Sequence, residues 1–168
     1  MKQQFDREKA IEVLLYVARK SPNIYNILKV IYFADKEHLA HYGRLLYGDN
    51  YLAMSHGPVP SGAYDVIKYA RGDTGLSESL SFDPEFLVKG YHVFPCRNAD
   101  IEALSESELE CLDLAIAKYG DLSFHVLKTL SHQEVAYQTA DENDAMPVET
   151  IIKSLPDSET LLDYVRNG

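Results

Sequence analysis

The most informative stretch of the sequence is KVIYFADKEHLAHYGRLLYGDNYLAMSHGPVPS, residues 29–61. It starts as an apolar run, gains acids and histidines, and then passes through two Tyr-Gly pairs into His-Gly-Pro-Val-Pro. Polar and turn-forming residues at the edge of a buried helix are costly for folding alone. We therefore expect residues 29–61 to have a function in addition to their role in folding.

The apolar part of this stretch belongs to a helix that we predict over about residues 24–41. Its middle has Lys29 as the only charged residue, so the helix is expected at the centre of the fold. The buried stripe continues at three- and four-residue steps through Asp35 and His38. Both polar side chains therefore project from the face that carries the core aliphatics.

The flanking sequence predicts more helices and little strand. In the first half of the chain, one helix is expected after an Asp6 cap and another from Pro60-Ser61 to Arg71-Gly72. In the second half, helices are expected after a capping box at 105–108, from about Ser123 and from Pro147, followed by a final helical turn or two near 161–165. Strands are expected at 51–54 and 85–94, with Gly90 at a bulge or tight turn, whereas 73–83 and 134–144 are expected to be irregular. The prediction is one α+β domain over residues 1–168, mainly α-helical, with about five to seven helices and a small antiparallel sheet or hairpin.

The composition restricts the possible partners. The chain has 168 residues and a formal net charge of −10, which argues against sequence-independent binding of nucleic acid and favours a basic protein partner. No apolar run approaches the ~20 residues of a membrane span, and the first residues show no signal-peptide pattern. We expect a cytoplasmic protein without a membrane partner, in which Cys96 and Cys111 are reduced thiols.

Asp35 and His38 allow two interpretations. A buried carboxylate must be hydrogen-bonded or paired, and His38, Arg44 or amides of the following loop are all within reach. In the first interpretation Asp35 binds orphan backbone N–H groups of that loop and fixes its path. In the second, Asp35 and His38 form part of a recognition surface or a site.

Metal binding and catalysis receive little support from the spacing of the candidate residues. Asp35, Glu37, His38, His41 and His56 are possible ligands, but there is no HExxH and no second pair with zinc spacing. The sequence also lacks a GxSxG elbow and a glycine-rich phosphate loop. We predict no cofactor, no metal and no enzymatic activity.

The segment His56-Gly57-Pro58-Val59-Pro60 is predicted to be a stiff, extended arm, because each proline fixes its own φ and restricts the residue before it. Such a segment is either a plain connector or a binding element that loses little entropy on association. Four tyrosines surround it in sequence: Tyr42, Tyr47, Tyr51 and Tyr64.

Two blocks of residues resemble the Panacea (SocA-like) antitoxin domain over roughly residues 5–155. They are Lys29, YFAD at 32–35, EHL at 37–39, Tyr42-Gly43, Gly48-Asp49, Tyr51, Ala53-Met54, GPVPS at 57–61 and Tyr64, followed by LSESE at 104–108, YGDLS at 119–123 and LSH at 130–132. The resemblance implies an antitoxin encoded beside a toxin gene in bacteria or their phages, where related phage proteins are called GepA-type. Members neutralise toxins by direct contact, and the SocA branch delivers its toxin to a AAA+ protease as an adaptor.

On this basis we predict a partner-binding region, with its residues acting directly or by shaping the surface: Tyr42, Asp49, Tyr51, His56, Pro58 and Pro60. Asp35, His38 and Gly57 are predicted to organise it from beneath. One alternative is a phage or prophage enzyme that uses an Asp35/His38/His56 cluster. Another is a structural or adaptor protein without a toxin.

Overall fold

The computed structural model describes residues 3–73 and 82–167. Within them lie eight α-helices: α1 (Arg7–Lys20), α2 (Ile24–Tyr42), α3 (Ser61–Arg71), α4 (Glu106–Tyr119), α5 (Phe124–His132), α6 (Val135–Gln138), α7 (Val148–Lys153) and α8 (Ser158–Asn167). The strands are β1 (Tyr51–Met54), β2 (Gly57–Pro60), β3 (Phe86–Lys89), β4 (His92–Pro95) and β5 (Ala145–Met146), and a short 3-10 helix spans Ile101–Ala103. The predicted class, α+β and mainly helical, is confirmed.

Helix α2 is buried along most of its length and contacts α1, α4, α5, α7 and β2. It begins where the Asn23 side chain accepts hydrogen bonds from the N–H groups of Tyr25 and Asn26. It ends at Gly43, whose φ of 74° lies in the left-handed region that glycine adopts without strain. The predicted central position of this helix is confirmed.

Strands β1 and β2 form an antiparallel hairpin in which Tyr51 lies opposite Pro60 and Met54 opposite Gly57. β5 pairs with the other edge of β1, so the strand order is β2-β1-β5. The arm at 57–60 is extended, as predicted, but all four of its residues are buried. Its two prolines are tolerated because β2 is an edge strand, where a missing N–H breaks no ladder bond.

The segment predicted as a strand at 85–94 is a second hairpin, β3–β4, with a tight turn at Gly90, where φ is 60°. This hairpin is tied to the start of α2. The Ile24 N–H donates to the Tyr91 carbonyl at 2.8 Å, and the Val93 N–H donates to the Pro22 carbonyl at 2.9 Å. Tyr91 is therefore held beside the first turn of α2.

Several elements differ from the sequence-based expectations. The segment at 134–144, expected to be irregular, contains α6, which raises the helix count above the predicted range. Ala136 is buried there, whereas Val135 is exposed. β5 was not predicted, and α8 is ten residues long rather than a turn or two. Most of the loop expected at 73–83 lies outside the described residues.

The hydrophobic core has two parts on either side of α2. The larger part joins α1, α2, α3 and α4 with the β3–β4 hairpin. The smaller part joins the other side of α2 with β1, β5 and helices α6 to α8. No helix in residues 3–73 and 82–167 combines the length and the apolar character needed to cross a bilayer.

The predicted capping box of α4 is present, and it also connects three segments of the chain. Glu108 is fully buried and accepts hydrogen bonds from the Ser105 N–H at 2.8 Å, Lys9 Nζ at 2.5 Å and Arg44 Nη1 at 2.6 Å. Burial by itself raises the pKa of Glu108, but these three hydrogen bonds outweigh it, and the pKa lies below its ordinary value. The carboxylate thus ties α1 and the loop after α2 to the start of α4.

We expect Glu108→Ala to lower the free energy of unfolding by about 3 kcal/mol, because it leaves two cations and a backbone N–H without their shared acceptor. Urea unfolding followed by circular dichroism measures the loss. Glu110→Ala, at an exposed position of the same helix, is the matched control. A loss no larger than that of the control would show that Glu108 is not a brace.

Candidate functional site

Asp35 is buried within α2 and its two carboxyl oxygens have different partners. Oδ1 accepts from the Leu46 N–H and Oδ2 accepts from the Tyr51 hydroxyl, both at 2.6 Å. Burial raises the pKa of Asp35 to about 7, and the two hydrogen bonds lower it only in part. The carboxyl group holds the loop after α2 and strand β1 against the helix, as the first interpretation of this residue predicted.

His38 is also buried, and both of its ring nitrogens are occupied. Nδ1 lies 2.9 Å from the Arg44 carbonyl oxygen and Nε2 lies 2.9 Å from Ser107 Oγ. Burial lowers the pKa of His38, which favours the neutral ring. In that ring Nδ1 must carry the proton, because a carbonyl only accepts, and Nε2 accepts from the Ser107 hydroxyl. His38 therefore links α2 to its own loop and to α4 and does not pair with Asp35.

Asp49, predicted to contribute to the partner-binding region, is buried and caps α3. Its carboxylate accepts from the N–H groups of Gly62 at 2.7 Å and Ala63 at 3.0 Å. The Tyr47 hydroxyl donates to it at 2.6 Å and the Asn50 N–H at 2.8 Å. Burial raises the pKa of Asp49 despite these bonds. Pro60, at the N-cap position of α3, makes no side-chain cap, so Asp49 supplies it from the preceding loop.

Three more of the predicted partner-binding residues, Tyr51, Pro58 and Pro60, are buried in the β1–β2 hairpin. The Pro58 carbonyl accepts from Nζ of the buried Lys29 at 2.8 Å. Gly57 has a φ of 116°, and an added Cβ would lie 2.5 Å from Ser131 Oγ, so only glycine fits there. Because the three residues are buried, shaping the surface is the role that remains open to them. That role, and contact of the surface with a partner, stay predictions.

The remaining two predicted residues, Tyr42 and His56, are exposed but lie far apart. Tyr42 is 47% exposed at the end of α2, where its ring packs 4.7 Å from that of His38. The His56 carbonyl accepts from the Tyr25 hydroxyl at 2.7 Å, which places His56 beside the first turn of α2. The separation of Tyr25 and Tyr42 along the helix corresponds to about 25 Å. The two exposed residues therefore do not share one patch.

The Asp35/His38/His56 cluster that the alternative enzyme hypothesis requires is not formed. Asp35 and His38 lie in the second half of α2 with all their polar atoms engaged, whereas His56 lies beside its first turn. His41 pairs with Glu37 at 2.7 Å on the surface. Within the part of the chain that the structure describes, no three His, Cys, Asp or Glu residues are grouped to hold a metal ion.

A groove of about 610 Å³, which was not predicted from the sequence, lies at the first turn of α2. We call it the aromatic groove. Its lining includes Tyr25, Lys29, His56, Tyr64, Arg71, Tyr91 and Phe124. These residues come from α2, the β1–β2 turn, α3, the β3–β4 turn and the start of α5, so no local sequence pattern brings them together.

The fold and the site define a mainly helical α+β protein in which buried carboxylates fix the loops around a central helix. A family model described as antitoxin SocA-like, Panacea domain, matches residues 27–137. Since this span is more than half of the chain, the protein belongs to the SocA-like Panacea antitoxin family, and the resemblance seen in the sequence is confirmed. Comparisons with curated proteins and with solved structures gave no match.

The raised pKa of Asp35 predicts a pH-dependent stability. Because the pKa is about 7 in the folded chain and ordinarily 3.8, the contribution of this group is largest in acid and is lost as pH rises toward 7. We expect the stability of the wild type relative to Asp35→Asn to fall by about 2 kcal/mol between pH 5 and pH 8.

Urea unfolding of both proteins at a series of pH values measures this difference. Asp121→Asn, at an exposed position, controls for the general effect of removing one negative charge. The prediction would be contradicted if the unfolding free energy of the wild type minus that of Asp35→Asn stayed constant or rose with pH.

Proposed function

We propose that this protein is an antitoxin that neutralises a protein toxin by direct protein–protein contact. The observation that carries the proposal is the family match over residues 27–137, which includes most of α2, the β1–β2 hairpin and most of the residues that line the aromatic groove. The protein acts in this proposal by binding, not by catalysis. Its site of action is the cytoplasm, where the toxin is made.

The packing supports a preformed binding surface. Asp35, Asp49 and Glu108 each join a backbone N–H of one segment to side chains of another, so the loops that carry exposed residues have fixed paths. A surface that is ordered before binding loses less conformational entropy on association. Such a surface suits a protein that must capture its partner before the partner acts.

The charge of the chain supports a basic toxin. A net charge of −10 attracts a basic partner over a range set by the ionic strength and so accelerates their encounter. We propose that the bound antitoxin covers the active surface of the toxin. Delivery of the toxin to a AAA+ protease, which the resemblance to the SocA branch implies, is a second mechanism with the same first step.

We propose also that the domain extends over residues 1–168, beyond the matched span. Helix α1 belongs to the larger core and contributes Lys9 to the Glu108 cluster. Val165 of α8 belongs to the smaller core. Both terminal helices thus share the packing of the matched region.

Co-expression with the product of the neighbouring gene tests the proposed function. We expect that product to stop bacterial growth alone, to be tolerated together with this chain, and to co-purify with it. Toxin abundance separates the two mechanisms, because an unchanged level indicates covering of the active surface and a protease-dependent fall indicates delivery. A neighbouring product that is harmless, or whose toxicity this chain does not relieve, would refute the proposal.

A further inference from the structure

The aromatic groove presents aromatic rings to the solvent. Tyr91 is 76% exposed and Phe124 is 43% exposed. The backbone of Tyr91 is fixed, because its carbonyl accepts from the Ile24 N–H at 2.8 Å, and the Phe124 ring lies 4.6 Å from that of Tyr25. Aromatic side chains are enriched at the centres of protein–protein interfaces.

The lining of the groove differs in charge from the rest of the protein, because its described residues lack acidic side chains. The chain has 26 acidic and 16 basic residues, yet no Asp or Glu is among the described residues that line the groove. Its lining includes the basic residues Lys29, Arg71 and His56. Arg71 is already paired with Asp73 at 2.8 Å, so Lys29 and His56 are the basic groups that remain for a ligand.

Lys29 has unused capacity to donate hydrogen bonds. Its Nζ donates to the Pro58 carbonyl and lies 4.7 Å from the centre of the Tyr25 ring. An ammonium group has three N–H donors, and one protein acceptor satisfies only one of them. Burial lowers the pKa of Lys29 to about 7, which shows how poorly its present surroundings compensate the charge. A ligand carboxylate nearby would restore that compensation.

Neighbouring groups add to the positive character of this region. Lys128 lies 6.0 Å from the centre of the Phe124 ring. Burial lowers the pKa of His132. The charges of Lys128, His56 and Lys29 lower this pKa further. Among the described residues, His132 Nε2 is the one buried side-chain nitrogen or oxygen without a hydrogen-bond partner. The region beside the β1–β2 turn thus favours an anion.

We infer that the aromatic groove binds a segment of a partner protein that carries a carboxylate next to an aromatic or aliphatic side chain. The apolar side chain packs among Tyr25, Tyr91 and Phe124, and the carboxylate faces Lys29 and His56. This inference rests on the proposed function, since the segment belongs to the toxin. A basic toxin would thus present a local acidic element to this one region of an acidic antitoxin.

A peptide segment fits the groove better than a nucleic acid does. A volume of about 610 Å³ is within the range of about 300–1,000 Å³ typical of pockets that enclose a drug-sized ligand, which is enough for a few side chains. A nucleic acid would bring many phosphates against a protein of net charge −10. The carboxylate of a peptide is a single charge that the groove can match.

Three small probes test the ligand chemistry directly: 3-phenylpropanoate, 3-phenylpropan-1-ol and 3-phenylpropylammonium. They share a ring and differ in charge. We expect amide NMR shifts at residues 54–56, 91 and 122–124 on titration of the ¹⁵N-labelled full chain, with the carboxylate binding about tenfold more tightly than the ammonium. Equal binding of the three probes, shifts elsewhere, or tighter binding of adenosine monophosphate would overturn the inference.

Variants locate the binding determinants. Phe124→Ser and Tyr91→Ser should weaken all three probes, whereas Lys29→Met should remove the preference for the carboxylate. Leu114→Ser is the matched control, because Leu114 is an exposed apolar residue of α4, 59% exposed, that does not line the groove. Melting temperatures confirm folding, and the highly exposed Tyr91 provides a variant that leaves the core unchanged. Retention of full probe affinity by folded Tyr91→Ser and Phe124→Ser would refute the assignment.

The growth assay connects the groove to the toxin. If wild type and Leu114→Ser relieve toxicity but Phe124→Ser and Tyr91→Ser do not, the groove is the toxin-binding surface. If all four relieve toxicity equally, the inference fails while the proposed function stands. If the wild type itself does not relieve toxicity, the proposed function fails. The inference that the groove binds the toxin then fails too, even if the probes bind in the groove as expected.

Discussion

The hydrogen bonds of the Asp35 carboxyl group are the interaction on which the site depends. A carboxyl group in the middle of an apolar helix is unfavourable unless its oxygens find donors. Here the donors are the Leu46 N–H and the Tyr51 hydroxyl, which lie in the following loop and in β1. The cost of burying the group therefore selects one path for the chain, because any other path leaves the carboxyl group unsatisfied.

Two more buried carboxylates near α2 accept hydrogen bonds from other segments of the chain. Asp49 binds the first N–H groups of α3, and Glu108 binds Ser105, Lys9 and Arg44. Buried polar groups of this kind are weak evidence for high stability but can give the chain a unique arrangement. In this protein they fix loops rather than fill the core. A fixed loop is what a binding surface requires.

The sequence predicted the elements whose signals are local. The apolar periodicity predicted helix α2, and the capping box predicted α4. A glycine at position 90, which adopts a positive φ without strain, predicted a bulge or tight turn there. β5 was missed because two residues make no period, and only the free edge of β1 makes them a strand. Asp49 was predicted to act in the partner-binding region, directly or by shaping the surface, but its role as the cap of α3 was not predicted, because the sequence does not show that the N–H groups of Gly62 and Ala63 come within its reach.

The candidate site shows the same limit of local reasoning. Residues 29–61 are continuous in sequence, yet α2 carries Tyr42 to one end and the β1–β2 hairpin returns His56 to the other. The aromatic groove combines residues from five segments and has no acidic residue in its described lining, although the chain as a whole is acidic. The net charge of the chain influences how fast it associates with a partner, whereas the side chains that line one groove determine which chemical groups bind there.

The cap that Asp49 provides has a consequence for the cooperativity of the fold. Helix α3 has no N-terminal cap of its own, because Pro60 has no polar side chain, and Ser61 is itself bound to the Asn50 carbonyl. The start of this helix is thus encoded in the loop before β1, so the loop and the helix are one unit of local stability. An insertion between Tyr47 and Asn50 would unwind the first turn of α3, and with it the wall of the groove that Tyr64 forms.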